Sequence, residues 1–179
     1  MVMPWVMQRR AKNVANGKNP LQLHPYNPTY LYDSAIRPLR NMAVNGVIWY
    51  QGESNATNIE IHERLFPLLI QSWRSFFADS SLPFYYVQLS SINRPSWPWF
   101  RDSQRTMMQQ LPNTGMAVSS DLGDSLDVHP RNKQPIGERL ARWALSTHKG
   151  FEQIVPSGPL FVGAKMQGKK VVVEFKYGK

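Results

Sequence analysis

The stretch Gly46-Val-Ile-Trp-Tyr-Gln-Gly-Glu-Ser-Asn55 constrains this chain more than any other. It begins as an apolar run of the kind that fills a buried strand, then breaks around Gly52 into Gln51, Glu53, Ser54 and Asn55. Thr57 and Glu60 follow at the spacing of a capping box, in which two side chains satisfy orphan amides at a helix start. Strand, glycine turn and capped helix in that order bring polar groups to the carboxyl end of a strand, where open α/β sheets bind ligands. A tight turn with solvated polar residues is the plain alternative. A second polar stretch, Asp121-Leu-Gly-Asp-Ser-Leu-Asp-Val-His-Pro130, weighs against it.

The rest of the chain supports an α/β layer. Apolar runs at 47–50, 84–89 and 115–119 predict three buried strands, each followed by a helical or loop return, hence a parallel sheet with flanking helices. Between the first two, Ile61, Leu65, Leu69, Trp73 and Phe76 recur at helical period and predict a helix over 58–77. Pro67 within it predicts a kink or a later start. His62 in this helix reads as a surface residue. Residues 91–100 read as a loop whose Trp97, Trp99 and Phe100 cover the core or form an aromatic wall for a sugar ring. A helix is expected over 102–111. Another should run to about 147, capped by Asn132, with Pro135 in its first turn, Ile136, Leu140, Trp143 and Ala144 buried, and His148, Lys149 and Gly150 at its end.

Before the first strand, proline-rich sequence reads as irregular, with short helices possible over 5–15 and 30–42. At the far end, alternation around Gln167-Gly168 predicts an antiparallel hairpin with Val171, Val173 and Phe175 on one face. A lone hairpin is marginal in water, so it packs on the sheet or opens a β domain. The division expected is 1–152 for the α/β domain and 153–179 for the start of a β domain.

Composition narrows the chemistry. The chain has no cysteine, which excludes disulfides, thiolate nucleophiles and cysteine-based zinc sites. No apolar run approaches the roughly 20 residues that span a bilayer, so no membrane partner is expected. The net charge of +9 invites a nucleic-acid reading. However, the basic residues are scattered, from Arg9 and Arg10 through Arg37, Arg101 and Arg131 to Lys176, and no nucleic-acid motif gathers them. Solubility, or attraction to acidic substrates, accounts for the charge. Without cysteine or a histidine cluster, nucleophilic chemistry needs a serine or threonine, a histidine base and a carboxylate. Among the four histidines, only His129 follows a strand and precedes a helix, with Asp121, Asp124 and Asp127 close by.

These residues resemble a known family. The run Gly46 to Asn55 is similar to the signature block of sialate O-acetylesterases, SGNH-type carbohydrate esterases. Asp121-Leu-Gly-Asp124, Asp127-Val-His-Pro-Arg-Asn-Lys133 and Gly137-Glu-Arg-Leu-Ala141 resemble the family's histidine block. Tyr30-Leu-Tyr-Asp-Ser-Ala-Ile-Arg-Pro-Leu39 is similar to the segment before the signature, and Ser157-Gly-Pro-Leu-Phe161 to the passage into a β domain.

The resemblance implies an SGNH hydrolase-like fold and hydrolysis of acetyl esters on sialic acid or a related sugar, with no cofactor and no metal. It implies a serine nucleophile, His129 as base, and an oxyanion site drawing on Gln51, Gly52 or Asn55. Glu53 and Asp127 are both candidates for the acid that orients His129. The usual aspartate position, three residues before the histidine, is Leu126 here. The family's Gly-x-Ser nucleophile block does not occur upstream of Gly46, so the expectation is a fragment whose serine lies on another segment or a second chain. Ser54 is a weaker candidate for that role. The resemblance also suggests a periplasmic or extracellular setting. A non-catalytic carbohydrate-binding fragment is the alternative.

Overall fold

Every side chain of the run Phe84-Tyr-Tyr-Val87 is buried, which requires a strand covered on both faces. The computed structural model describes residues 4–15, 24–25, 27–147 and 150–178. They form two compact units, 1–43 and 44–179. In the first lie α1 (Pro4–Ala15), a π-helical turn (Tyr32–Ile36) and a 3-10 turn (Arg37–Asn41). Pro38 fits the start of that last turn, where a missing amide donor matters least.

The second unit contains a parallel sheet of β1 (Val47–Trp49), β2 (Phe84–Val87) and β3 (Thr114–Ala117), with β2 in the middle. Val47 is level with Phe84, and Phe84 with Thr114, so the carboxyl ends of the strands finish together. Alternation then sorts the side chains. Phe84, Tyr86, Val47 and Met116 pack with Phe66 and Ile70 of α2 (Ile59–Phe76) and Met107 of α3 (Trp97–Gln110). Tyr85, Val87 and Ala117 pack on the other face with Ile136, Leu140 and Trp143 of α4 (Gln134–Ser146). This is the expected three-layer α/β architecture. Gly115 is a packing requirement, because a Cβ there would lie 2.4 Å from the Trp143 ring.

Several local expectations are corrected. The cap of α2 is Asn58, whose side chain accepts from the Ile61 amide at 3.2 Å, in place of the Thr57–Glu60 box. The Asn58 carboxamide supplies an acceptor where the first turn needs one. The helix runs through Pro67, so it does not begin there. His62 is 4% exposed rather than on the surface, because its ring stacks on Phe66 and lies 4.4 Å, centroid to centroid, from Phe100. Residues 97–100 are the first turn of α3 rather than loop. Trp97 and Phe100 are core residues there, with the Trp97 indole donating to the Ser90 carbonyl at 2.5 Å, while Trp99 is 72% exposed. The cap position of α4 is Lys133 and not Asn132, and its side chain makes no capping bond. His148 and Lys149 lie outside the described residues.

Arg74 ties the amino ends of the sheet. Its guanidinium donates to the Leu82 carbonyl at 3.0 Å and to the Pro112 carbonyl at 2.7 Å, where the chain enters β2 and β3. Beyond α4, β4 (Leu160–Gln167) and β5 (Lys170–Lys176) form the expected antiparallel hairpin. It turns at Gly168 with φ of +60°, a conformation glycine adopts without a steric penalty. All of β5 is exposed, so the hairpin does not bury itself on the sheet.

Candidate active site

Three loops leave the carboxyl ends of the strands. After β1, Tyr50 and Gln51 lead into Gly52, whose φ of +149° suits a residue without a side chain. A Cβ at Gly52 would also meet the Phe100 ring at 3.1 Å. The chain then forms a 3-10 turn, Glu53–Asn55. The Glu53 carboxylate turns back and accepts from the Gly52 amide at 3.0 Å. Asn55 donates to the Gln51 side chain at 3.4 Å, a weak contact. Gln51 and Asn55 border a hollow of about 400 Å³ whose wall includes His62, Leu65 and Phe66.

The loop after β3 carries the histidine. His129 Nδ1 lies 2.8 Å from Asp127 Oδ1, and the same oxygen accepts from the His129 backbone amide at 2.9 Å. An aspartate that accepts from the amide two residues on forms an Asx turn, and this brings acid and imidazole together within three residues. The expected spacing of three, ending at Leu126, is therefore not needed to make the pair. The hydrogen bonds from the His129 amide and then from its ring hold the Asp127 carboxyl below its ordinary range. An ionised carboxylate only accepts, so Nδ1 carries a proton, and in the neutral ring the lone pair is then on Nε2. The imidazole side chain is 81% exposed. It borders a hollow of about 380 Å³ with Asp121, Gly123 and Asp124.

Glu53 and Asp127 are thus distinguished by geometry. Asp127 pairs with His129, whereas Glu53 caps the turn beside Gly52, and no hydrogen bond joins Glu53 to His129 among the described residues. Gln51, Gly52 and Asn55 lie together on the β1 loop, apart from the hollow that holds His129. No serine hydroxyl bonds to His129 among the described residues. Neither do they contain a group of three or more histidine, aspartate or glutamate side chains that could hold a metal ion.

Residues not singled out by sequence reasoning hold the histidine loop. Arg139 grips Asp121 through two contacts of 2.7 Å and also donates to the Val118 carbonyl at 2.6 Å. Its hydrogen bonds keep the Asp121 carboxyl down at about 2. Gly123 lies so close to the next loop that a Cβ would stand 2.4 Å from the Ser91 nitrogen. Ser91 Oγ donates to the Ser120 carbonyl at 2.6 Å, and the Asn93 amide to the Ser125 carbonyl at 3.0 Å. The glycine inside Asp-Leu-Gly-Asp was the one signal in the sequence of such an approach.

The three-layer fold, with a parallel sheet between helices, is that of a carbohydrate acetylesterase class. A solved carbohydrate acetylesterase from Xanthomonas citri matches it with a TM-score of 0.74 and 39% identity, over 84% of this chain and 36% of that one. The chain belongs to the carbohydrate esterase family described as sialic acid-specific acetylesterase, which it matches over residues 13–146. The sialate O-acetylesterase of Mus musculus is 35% identical over 158 residues, covering 76% of this chain and 29% of the relative. That of Homo sapiens is 33% identical over 175 residues, covering 86% and 34%. The chain therefore spans about a third of the length of these curated relatives.

Proposed function

We propose that this chain carries the histidine-bearing part of a serine-type esterase site that removes acetyl groups from sialic acid or a related sugar. The observation that carries the reading is the 2.8 Å contact between His129 Nδ1 and Asp127 Oδ1, which leaves Nε2 as a base. The serine is assigned to another segment or a second chain, and residues 153–179 to the opening of a β domain. In this reading the serine oxygen attacks the acetyl carbon while its proton passes to His129 Nε2. The carbonyl π electrons move onto oxygen, and amide donors at Gln51 or Asn55 stabilise that oxyanion, the Gly52 amide being already held by Glu53. Collapse breaks the ester bond, and His129 returns the proton to the departing sugar oxygen. Water then repeats the sequence on the acyl-enzyme and frees acetate and serine. Asp127 stays ionised and holds the imidazole orientation.

The test is hydrolysis of O-acetylated sialic acid and p-nitrophenyl acetate by a preparation that includes the serine-bearing sequence. His129→Ala should lower turnover by roughly 10⁴–10⁶-fold with folding intact. The 179-residue chain alone should hydrolyse either ester little faster than buffer. A loss of less than about tenfold in His129→Ala removes this residue from the mechanism. Labelling of Ser54 by a fluorophosphonate in the isolated chain transfers the nucleophile to the β1 loop.

A further inference from the structure

Lys133 stands at the cap position of α4, four residues beyond His129. A cation is disfavoured at a helix amino end, where the unpaired amides already present partial positive charge. Local helix energetics therefore do not explain it. Its ammonium lies 5.2 Å from the centre of the Tyr50 ring, and no carboxylate pairs with it among the ion pairs of the described residues. An ammonium within about 6 Å of an aromatic face is attracted by the ring quadrupole.

Tyr50 is packed on two sides. Its ring packs against both the α4-facing core and the cluster of Leu89, Trp97 and Phe100. Its hydroxyl is buried without a hydrogen bond of regular geometry, facing Ser90 and Ser119 at the ends of β2 and β3. Burial, and then the Glu53 charge, push the phenol upward, so the ring stays neutral. Tyr50 immediately precedes Gln51 and Gly52. One contact therefore spans the two loops that hold the candidate site.

We propose that Lys133 is a positioning residue, which by resting on the Tyr50 ring ties the loop carrying Asp127 and His129 to the strand end carrying Gln51 and Gly52. The contact stands by itself, and its consequence for catalysis rests on the esterase reading.

Hydrogen exchange on the 179-residue chain tests the tie without requiring turnover. In Lys133→Met, amides over 121–132 should exchange about two- to fivefold faster, the range a cation–π contact at an exposed site is worth. Relief of the helix-end repulsion alone predicts the opposite sign. Lys133→Arg keeps the charge and the affinity for an aromatic face, so it should restore wild-type exchange. Tyr50→Phe keeps the ring and should match wild type, while Tyr50→Leu should match Lys133→Met. The amides of β2 should be unchanged in both Lys133 variants. The His129 imidazole resonances should shift in Lys133→Met and return in Lys133→Arg, with those of His62 constant. Wild-type exchange in Lys133→Met, or equal acceleration in Lys133→Arg, overturns the proposal. Should Tyr50→Leu fail to fold, the two Lys133 variants decide alone. Ester hydrolysis is scored separately, so failure of the esterase reading leaves the exchange result standing.

Discussion

His62 makes the domain acid-sensitive from within its core. The imidazole is buried among Phe66 and Phe100, its Nε2 has no hydrogen-bond partner, and burial lowers its pKa to about 4. The unfolded chain binds that proton near pH 6.5, so between the two values the unfolded state holds more protons. The contribution is therefore fully present above about pH 6.5 and is lost as pH falls toward 4. Linkage puts the loss at about 2 kcal/mol by pH 5 and about 3 kcal/mol by pH 4. That is a large share of the roughly 5–15 kcal/mol that holds a domain together. Urea unfolding of wild type and His62→Phe across pH 7 to 4 isolates the term, because the other titrating groups cancel in the difference. Phenylalanine retains a ring between Phe66 and Phe100 and removes the proton site. Wild type should weaken relative to the variant by about those amounts as pH falls. Parallel stability curves for the two proteins would refute the reasoning.

Asp127→Asn should reduce esterase turnover by roughly 10²–10⁴-fold in a serine-complete preparation, since a carboxamide no longer enforces the Nδ1–H tautomer. Glu53→Gln should cost far less there, because Glu53 serves the Gly52 amide, and steady-state kinetics of the two variants read the difference. Gly123→Ala forces a methyl group against the Ser91 backbone, so chemical denaturation should show a loss of roughly 2 kcal/mol or more. Arg139→Met removes both hydrogen bonds to Asp121, and carbon-detected titration should find that carboxyl rising from about 2 toward the ordinary carboxylate range.

Patterns with a local cause were legible in the chain itself. An unbroken apolar run such as Phe84-Tyr-Tyr-Val87 has one economical fate, a strand covered on both faces, and helical spacing from Ile61 to Phe76 specifies a helix. The row that helix buries is His62, Phe66, Ile70 and Arg74, one residue on from the spacing read in the sequence, and Leu65 is left exposed. The Asp127–His129 pair is local too, an Asx turn joining residues two apart, yet the sequence left Glu53 open as the partner until the turn was seen. What escaped reading was settled by partners far away along the chain. His62 looks like a surface histidine until Phe100 closes over it. Trp97 looks like a loop aromatic until the Ser90 carbonyl accepts its indole proton. Arg139 is one more charged helix residue until the turn after β3 brings Asp121 against it, and Lys133 is an ill-placed helix cap until Tyr50 lies beneath it. Periodicity specifies which kind of element forms. Only the packing of three layers decides which residue meets it, and so which charge is paired, which proton is displaced and how the histidine loop is held.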